Sequence, residues 1–416
     1  MAGTMAALAA RAAGVRVVVV RRAPGATALS SGAVGVAPDT WTPPGEPFAS
    51  RLGTMAAARR IAASRPEHSY AVLGSALDHL EEAIAFAAGR LGDVIAEPRP
   101  QPFYIATPYG AAMTCALVQR TMVAADLASA RGTLVVVGFR GHLGFDAGLV
   151  AGGLARYVAL GAPRAEPAEI DLFMHEEASV ARPHELAKAL EAPGAAEQAG
   201  LLLRRALPAG ASAALFPPVL GLSPSARVME RIAEAVGIPV AETVSDVPSV
   251  PGLRLQSALD ASLAAAGVPL IAGELTGATV PGTSSRVGDR EVVAGSWVLA
   301  TGRFVGGGIV RRGRLEEPLL GIPVQASENG ESGVHLAVRP SASLTARERR
   351  APQPLMAAGL RVDRHLRPLD AAGAPVHHRL FAAGAVIGGH EAAADGTGLG
   401  IAILTGYLAG RAAAAA

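Results

Sequence analysis

Leu380-Phe381-Ala382-Ala383-Gly384-Ala385, followed downstream by Asp395-Gly396-Thr397-Gly398-Leu399-Gly400-Ile401-Ala402, decides the fold. The apolar run from Arg379 to Ala383 reads as a buried strand that delivers a glycine. A Gly-rich loop, Gly388 to Gly400, then opens a helix over Leu399 to Ala413. The first turn of a helix has unpaired N–H groups and the positive end of its dipole, and glycines let a ligand approach the backbone. That combination suits the anionic ring edge of a flavin near N1 and O2. It marks Gly384, Thr397, Gly398 and Leu399 as cofactor contacts. An ordinary strand–loop–helix is the alternative; the order of the whole segment favours the flavin.

Upstream, Trp297-Val298-Leu299-Ala300-Thr301-Gly302 is a second apolar strand ending in a turn. Ala300, Thr301 and Gly302 are where the chain would pass the same cofactor. Near the start, Val15 to Val20 reads as a buried strand of parallel-sheet type, fed by an alanine-rich helix over Met1 to Ala13. A helix entering such a strand is the second half of a βαβ unit. Of a G-x-G-x-x-G fingerprint only the last glycine, Gly3, has a counterpart. Ser30-Ser31-Gly32 follows the strand, and its hydroxyls and backbone could bond phosphate or ribityl oxygens; a serine-rich turn is an equal alternative. Arg21 and Arg22 stand where an acidic residue would bind an adenosine ribose, which leaves room for FMN as well as FAD.

The expected architecture is α/β: a Rossmann-type flavin-binding domain with its first strand missing, and an inserted cap or partner-binding domain. Residues 1–45 and 251–416 would form the flavin domain and 46–250 the insertion, entered through a proline-rich linker over Thr42 to Pro47. Helical patterns cover much of Arg51 to Ala63, Ala76 to Leu91 and Thr114 to Ala130. Strands are expected at Thr133 to Gly138 and Ala213 to Phe216, and helices at Ser225 to Val236 and Leu253 to Ala266. A run of short strands follows at Pro269 to Ala272, Gly277 to Val280, Glu291 to Val293 and Ser296 to Ala300.

Composition narrows the function. Thirty-seven Lys and Arg stand against 35 Asp and Glu, with no long run of one sign, so a nucleic-acid arm is excluded. The single cysteine, Cys115, expected in the core on a helix, cannot ligate an iron–sulfur cluster or close an internal disulfide. Any electrons must be carried by an organic cofactor, in a reducing cytoplasm. The most apolar stretch, Leu134 to Ala162, is broken by Arg140, His142, Asp146 and Arg156, so no membrane span is expected. Arg11 follows the first apolar residues, the wrong order for a secretory signal. Metal-ligand spacing and a Gly-x-Ser-x-Gly elbow are both absent. Arg254, Arg303, Arg311, Arg312 and Arg314 could hold an anionic substrate. His142 and His390 sit in Gly-rich loops and could act as general bases.

Several segments together resemble one family, the B subunits of anaerobic glycerol-3-phosphate dehydrogenases. They are Leu29 to Gly32, Val135 to Gly138 with Phe145-Asp146, Phe216 to Leu222, Pro248 to Gln256, Thr301 to Gly308, Glu317 to Gly321 and Leu380 to Gly389. The resemblance implies a flavin subunit, described for the family as using FMN. It would stand beside a larger catalytic flavoprotein subunit and an iron–sulfur, membrane-anchoring subunit. Such a complex oxidises glycerol 3-phosphate to dihydroxyacetone phosphate and passes electrons to quinone, placing this chain on the inner face of the cytoplasmic membrane through its partners. Within that reading Arg254 and Arg303 bind the phosphate and His390 is the base. A non-catalytic structural or electron-relay subunit, and a fumarate-reductase-like flavoenzyme, are the competing readings.

Overall fold

The computed structural model describes every residue except 39–44, 174–179, 277–280, 329–330, 349–350 and 352. The expected strand at 277–280 and the first half of the linker therefore lie outside the described residues. Eight parallel strands organise the rest. In chain order they are β1 (Val19–Arg21), β2 (Thr133–Phe139), β3 (Arg164–Ile170), β4 (Ala211–Phe216), β5 (Val240–Glu242), β6 (Leu270–Ala272), β7 (Trp297–Leu299) and β8 (Leu380–Ala382). The helices used below are α1 (Ala2–Ala12), α2 (Thr54–Ser64), α3 (Leu80–Arg90), α4 (Val228–Val236), α5 (Val250–Ala265) and α6 (Gly398–Ala415).

The first core is built on α1 and α6, and small residues bring the two backbones together. A Cβ on Gly406 would lie 2.4 Å from the Ala2 carbonyl oxygen, and one on Gly410 2.2 Å from that of Ala6. Four-residue spacing puts both glycines on one face of α6. Parallel pairs flank α1: β1 with β6, Val19 opposite Leu270, and β7 with β8, Trp297 opposite Leu380. Helix α1 rests on both β1 and β7, yet those two strands are not paired with each other. Among the described residues this part of the sheet thus stands as two pairs with an interruption under α1. The valines at 17–20 are half-buried for the same reason, since a strand with an open edge keeps water on one side.

The second core is the four-stranded sheet ordered β3-β2-β4-β5, all parallel. Alternation along β2 and β4 builds both of its faces. Leu134, Val136, Ala213 and Leu215 enter one apolar cluster, and Val135, Val137, Ala214 and Phe216 enter the other. The two cores interleave along the chain: Phe48 enters the second, while Ala116 and Leu117 enter the first. Residues of α2 and α3, including Ile61, Leu80 and Ile84, are buried in the first core with α1 and α6.

The helix expected over Thr114 to Ala130 is not formed. Ala112–Cys115 is a strand, antiparallel to Phe103–Ala106, and a 3-10 turn follows at Arg120–Ala125. Gly110, at φ +69°, closes the hairpin, and pairing with the neighbouring strand overrides the local helical pattern. Cys115 is buried in that strand. Among the described residues one helix, α6, is long and apolar enough to cross a membrane by length and composition. Its residues from Gly400 to Gly410 are mostly buried against the first core, the pattern of a core helix.

Candidate functional site

The C-terminal ends of β7 and β8 open beside the start of α6. After β7 the chain makes a turn that only glycine permits. Gly302 has φ +74°, and a Cβ on Gly306 or Gly308 would fall 2.2 Å from the Thr301 oxygen or 2.1 Å from the Gly302 oxygen. Arg303 emerges from this turn. Its Nη2 donates to the carbonyls of Ile387 and His390, each at 3.2 Å, lacing the loop after β7 to the loop after β8. Burial lowers its pKa to about 10, against the pull of Glu391 and Asp395. It stays protonated at neutral pH.

His390 is 1% exposed. Its Nδ1 lies 2.8 Å from Ser69 Oγ, which donates to the Gly388 carbonyl at 3.0 Å. Burial first, then the charge of Arg303, pushes its imidazolium well below the usual histidine range, so the ring is neutral at pH 7. Asp395 accepts from Arg65 Nη1 at 2.5 Å and from the Glu391 N–H at 2.8 Å. His68 Nε2 stands 3.7 Å from the same carboxylate, beyond direct hydrogen-bond distance. Burial works against ionisation of Asp395, but His68 and Arg65 outweigh it and hold the carboxyl at about 2. Tyr70 is buried beside His68, with its phenol pushed up by burial and then by Asp395.

Around this cluster six buried polar atoms have no hydrogen-bond partner: His68 Nε2, Tyr70 OH, Thr301 Oγ1, Arg303 Nε, His390 Nε2 and Thr397 Oγ1. Each costs on the order of 1–3 kcal/mol if left unpaired. No side chain caps the first turn of α6. The segment from Ala33 crosses directly over that turn: a Cβ on Gly35 would sit 2.1 Å from the Gly396 oxygen, and one on Gly400 2.6 Å from the Gly35 oxygen. Unpartnered donors and acceptors and an uncapped helix start fit the polar edge of a flavin ring.

The expected residues divide on inspection. Thr301, Gly302, Arg303, His390, Thr397, Gly398 and Leu399 are brought together here. Gly3 and Ala300 meet at the base of the site, a Cβ on Gly3 falling 3.2 Å from that of Ala300. Gly384 is a packing residue: its N–H donates to Thr405 Oγ1 at 2.8 Å, and its φ of +74° brings it onto Ala2. Ser30 and Ser31 turn their hydroxyls onto the Thr27 and Ala33 carbonyls. Gly32 fits against Pro251, where a Cβ would lie 2.2 Å from the ring; these three residues form the seat of the α5 N-terminus.

Arg254 is the correction. It is buried in α5 and ion-paired with Glu242, and its Nη1 donates to the Leu220 carbonyl. Glu242 also accepts from Thr121 Oγ1 and the Leu220 N–H. Nη1 and Nη2 are spent in tying α5 to β5, and Nε alone is without a partner, so this arginine serves first as a buried link between two elements. Likewise the end of β1 is occupied by Arg21 bonded bidentately to Asp260 of α5, at 2.6 and 2.9 Å. His142 lies in the second core, its ring against Gly144.

Sequence reading missed Arg65, His68, Ser69, Tyr70 and Asp395. The only local sign was two polar aromatic groups and an arginine crowded around Pro66 at the end of α2.

The model of the FAD binding domain family matches residues 1–401. The chain belongs to that family. It is also a homologue of the B subunits of anaerobic glycerol-3-phosphate dehydrogenases. It is 28% identical to that of Pectobacterium atrosepticum over 408 residues, 94% of this chain and 91% of the relative. It is 35% identical over 221 residues to a Halobacterium salinarum protein named as a probable B subunit of the same dehydrogenase, a match spanning 48% of this chain and 47% of that protein. The chain also resembles, at TM-score 0.42 and 12% identity, a 3-ketosteroid Δ1-dehydrogenase from Sterolibacterium denitrificans, covering 100% of this chain and 98% of the other; a likeness of that degree carries no argument.

Proposed function

We propose that this protein is the flavin-bearing B subunit of a complex that oxidises glycerol 3-phosphate to dihydroxyacetone phosphate. The observation that carries the reading is the group of six unpartnered polar atoms at the uncapped start of α6. A bound flavin supplies a hydride acceptor there. Oxidation of a secondary alcohol also releases the hydroxyl proton, and neutral His390, through Nε2, is the group that would take it. Arg303, protonated and with Nε unpartnered, is the candidate for the substrate's phosphate. FMN, which the resemblance implies, is the flavin proposed; FAD, toward which the matching FAD binding domain family points, is the alternative. Arg21 and Asp260 neutralise one another where an adenosine ribose would need a free acid. Electrons would pass to quinone through an iron–sulfur subunit, beside a larger catalytic flavoprotein subunit, at the inner face of the cytoplasmic membrane.

Chromatography of the cofactor released from purified protein identifies the flavin, and bleaching of its absorbance by glycerol 3-phosphate tests the chemistry. No flavin would overturn the reading. Arg303→Ala should raise KM for glycerol 3-phosphate and leave glycerol, which lacks phosphate, unaffected. A second reading, an electron-relay subunit without substrate turnover, is favoured by the interruption between β1 and β7. It predicts bound flavin that partners reduce and glycerol 3-phosphate alone does not.

A further inference from the structure

We infer that Ser69 is a positioning residue that locks His390 in its Nδ1–H tautomer, leaving the Nε2 lone pair bare inside the site. A serine hydroxyl has one proton. The Gly388 carbonyl can only accept, so satisfying both contacts requires Ser69 to donate to Gly388 and to accept from His390 Nδ1–H. The proton on His390 is thereby assigned to Nδ1, and Nε2, buried and unpartnered, is a lone pair. His68 has the opposite arrangement. Its Nδ1 accepts from the Tyr70 N–H at 3.1 Å, so its proton is on Nε2, on the side of Asp395. Two neighbouring imidazoles, their centroids 6.3 Å apart, thus present one bare nitrogen and one N–H.

The partner is a hydroxyl, and that matters. A carboxylate at Nδ1 would fix the same tautomer but also favour the charged ring. Ser69 orients the ring without stabilising its protonated form. The charged groups around His390 are Arg303 and Asp395, with the titratable His68 beside them and Arg65 reaching it only through Asp395. The positive Arg303 and the burial both oppose protonation. Ser69 comes from the chain just after α2 and His390 from the loop after β8, so the lock also joins segments 321 residues apart.

The consequence for rate rests on His390 being the base proposed above; the tautomer itself does not. Nitrogen-15 spectra of histidine-labelled full-length protein read the tautomer directly. The expected result is His390 with Nδ1 protonated and Nε2 in the unprotonated range. Ser69→Ala should mix the tautomers, Ser69→Thr should restore the wild-type pattern, and turnover should follow with a fall on the order of tenfold in kcat for the alanine variant and little change in KM. A wild-type His390 carrying its proton on Nε2 overturns the inference, whatever the activity and whether or not Ser69→Ala folds. A locked tautomer in a protein with no turnover of glycerol 3-phosphate would leave the lock standing and sink the base.

Discussion

Replacing Asp395 with Asn tests the electrostatics of the site through stability alone. In the folded protein the Asp395 carboxyl titrates at about 2, against an ordinary value of 3.8. Its side chain is 3% exposed, so solvent screening discounts little. A depressed carboxylate contributes stability that is fully present above its unfolded pKa and is lost as pH falls through its folded pKa. The difference of nearly two pH units corresponds to about 2 kcal/mol at pH 7, at roughly 1.4 kcal/mol per unit. At pH 3, between the two values, about half remains, and well below pH 2 none does. Asp395→Asn removes that contribution and leaves Arg65, about one-third exposed, to be rehydrated. Urea unfolding of both proteins should therefore show a gap of about 2 kcal/mol at pH 7 that shrinks to about 1 kcal/mol at pH 3. A gap of equal size at both pH values would refute the ion-pair account and reassign the loss to packing.

Three further outcomes follow from other parts of the molecule. Gly410→Ala drives a methyl into the Ala6 carbonyl and should cost about 1–3 kcal/mol by overpacking, read as a lowered urea midpoint with bound flavin per folded molecule unchanged. Arg254→Met strands Glu242 and should cost on the order of 3–5 kcal/mol, while the double change Arg254→Met with Glu242→Leu should recover much of it; Arg254→Met folding normally with only a raised KM would restore the anion-binding role. Because His390 is neutral well below the usual histidine range, kcat should stay flat as pH falls through 6.5 and decline only further down. The unfolded ring does take up a proton below 6.5, so its burial should cost stability over that same span; a rate that halves near pH 6.5 would show a titratable base of ordinary pKa instead.

How much was legible in the sequence follows from the range of the interactions involved. β7, β8 and α6 could be read because each signal is local: an apolar run, a glycine stop, a helical pattern. Thr114 to Ala130 could not, because its strand is stabilised by pairing with Phe103–Ala106 and not by its own propensity. Arg254 was misjudged for a related reason. A cation's freedom depends on who stands beside it, and Glu242 reaches it only because β5 and α5 pack together. The place of Arg303 beside the site could be read because it follows directly from local chain direction after Ala300-Thr301-Gly302. Ser69, His68 and Arg65 gave no comparable signal, since their partners Gly388, His390 and Asp395 lie more than 300 residues away.

That long reach also explains why polar groups at the site stay unspent. The start of α6 would normally be capped by a side chain of its own segment, and Asp395 lies close enough in sequence to serve. Instead its carboxylate is held by Arg65, from the end of α2, and by the Glu391 N–H of its own one-turn helix. The α6 N–H groups are left without a side-chain cap. Arg303 does the same for the opposite wall, spending Nη2 on two carbonyls of the 387–390 loop while Nε stays unpartnered. The charged groups fix the walls of the site by bonding backwards into the protein. The neutral groups, His390 Nε2 and the hydroxyls of Tyr70, Thr301 and Thr397, keep their polar capacity unspent. The alcohol oxidation proposed above would need this division of labour, because an imidazolium at the His390 position would already hold the proton that the reaction must deliver to it.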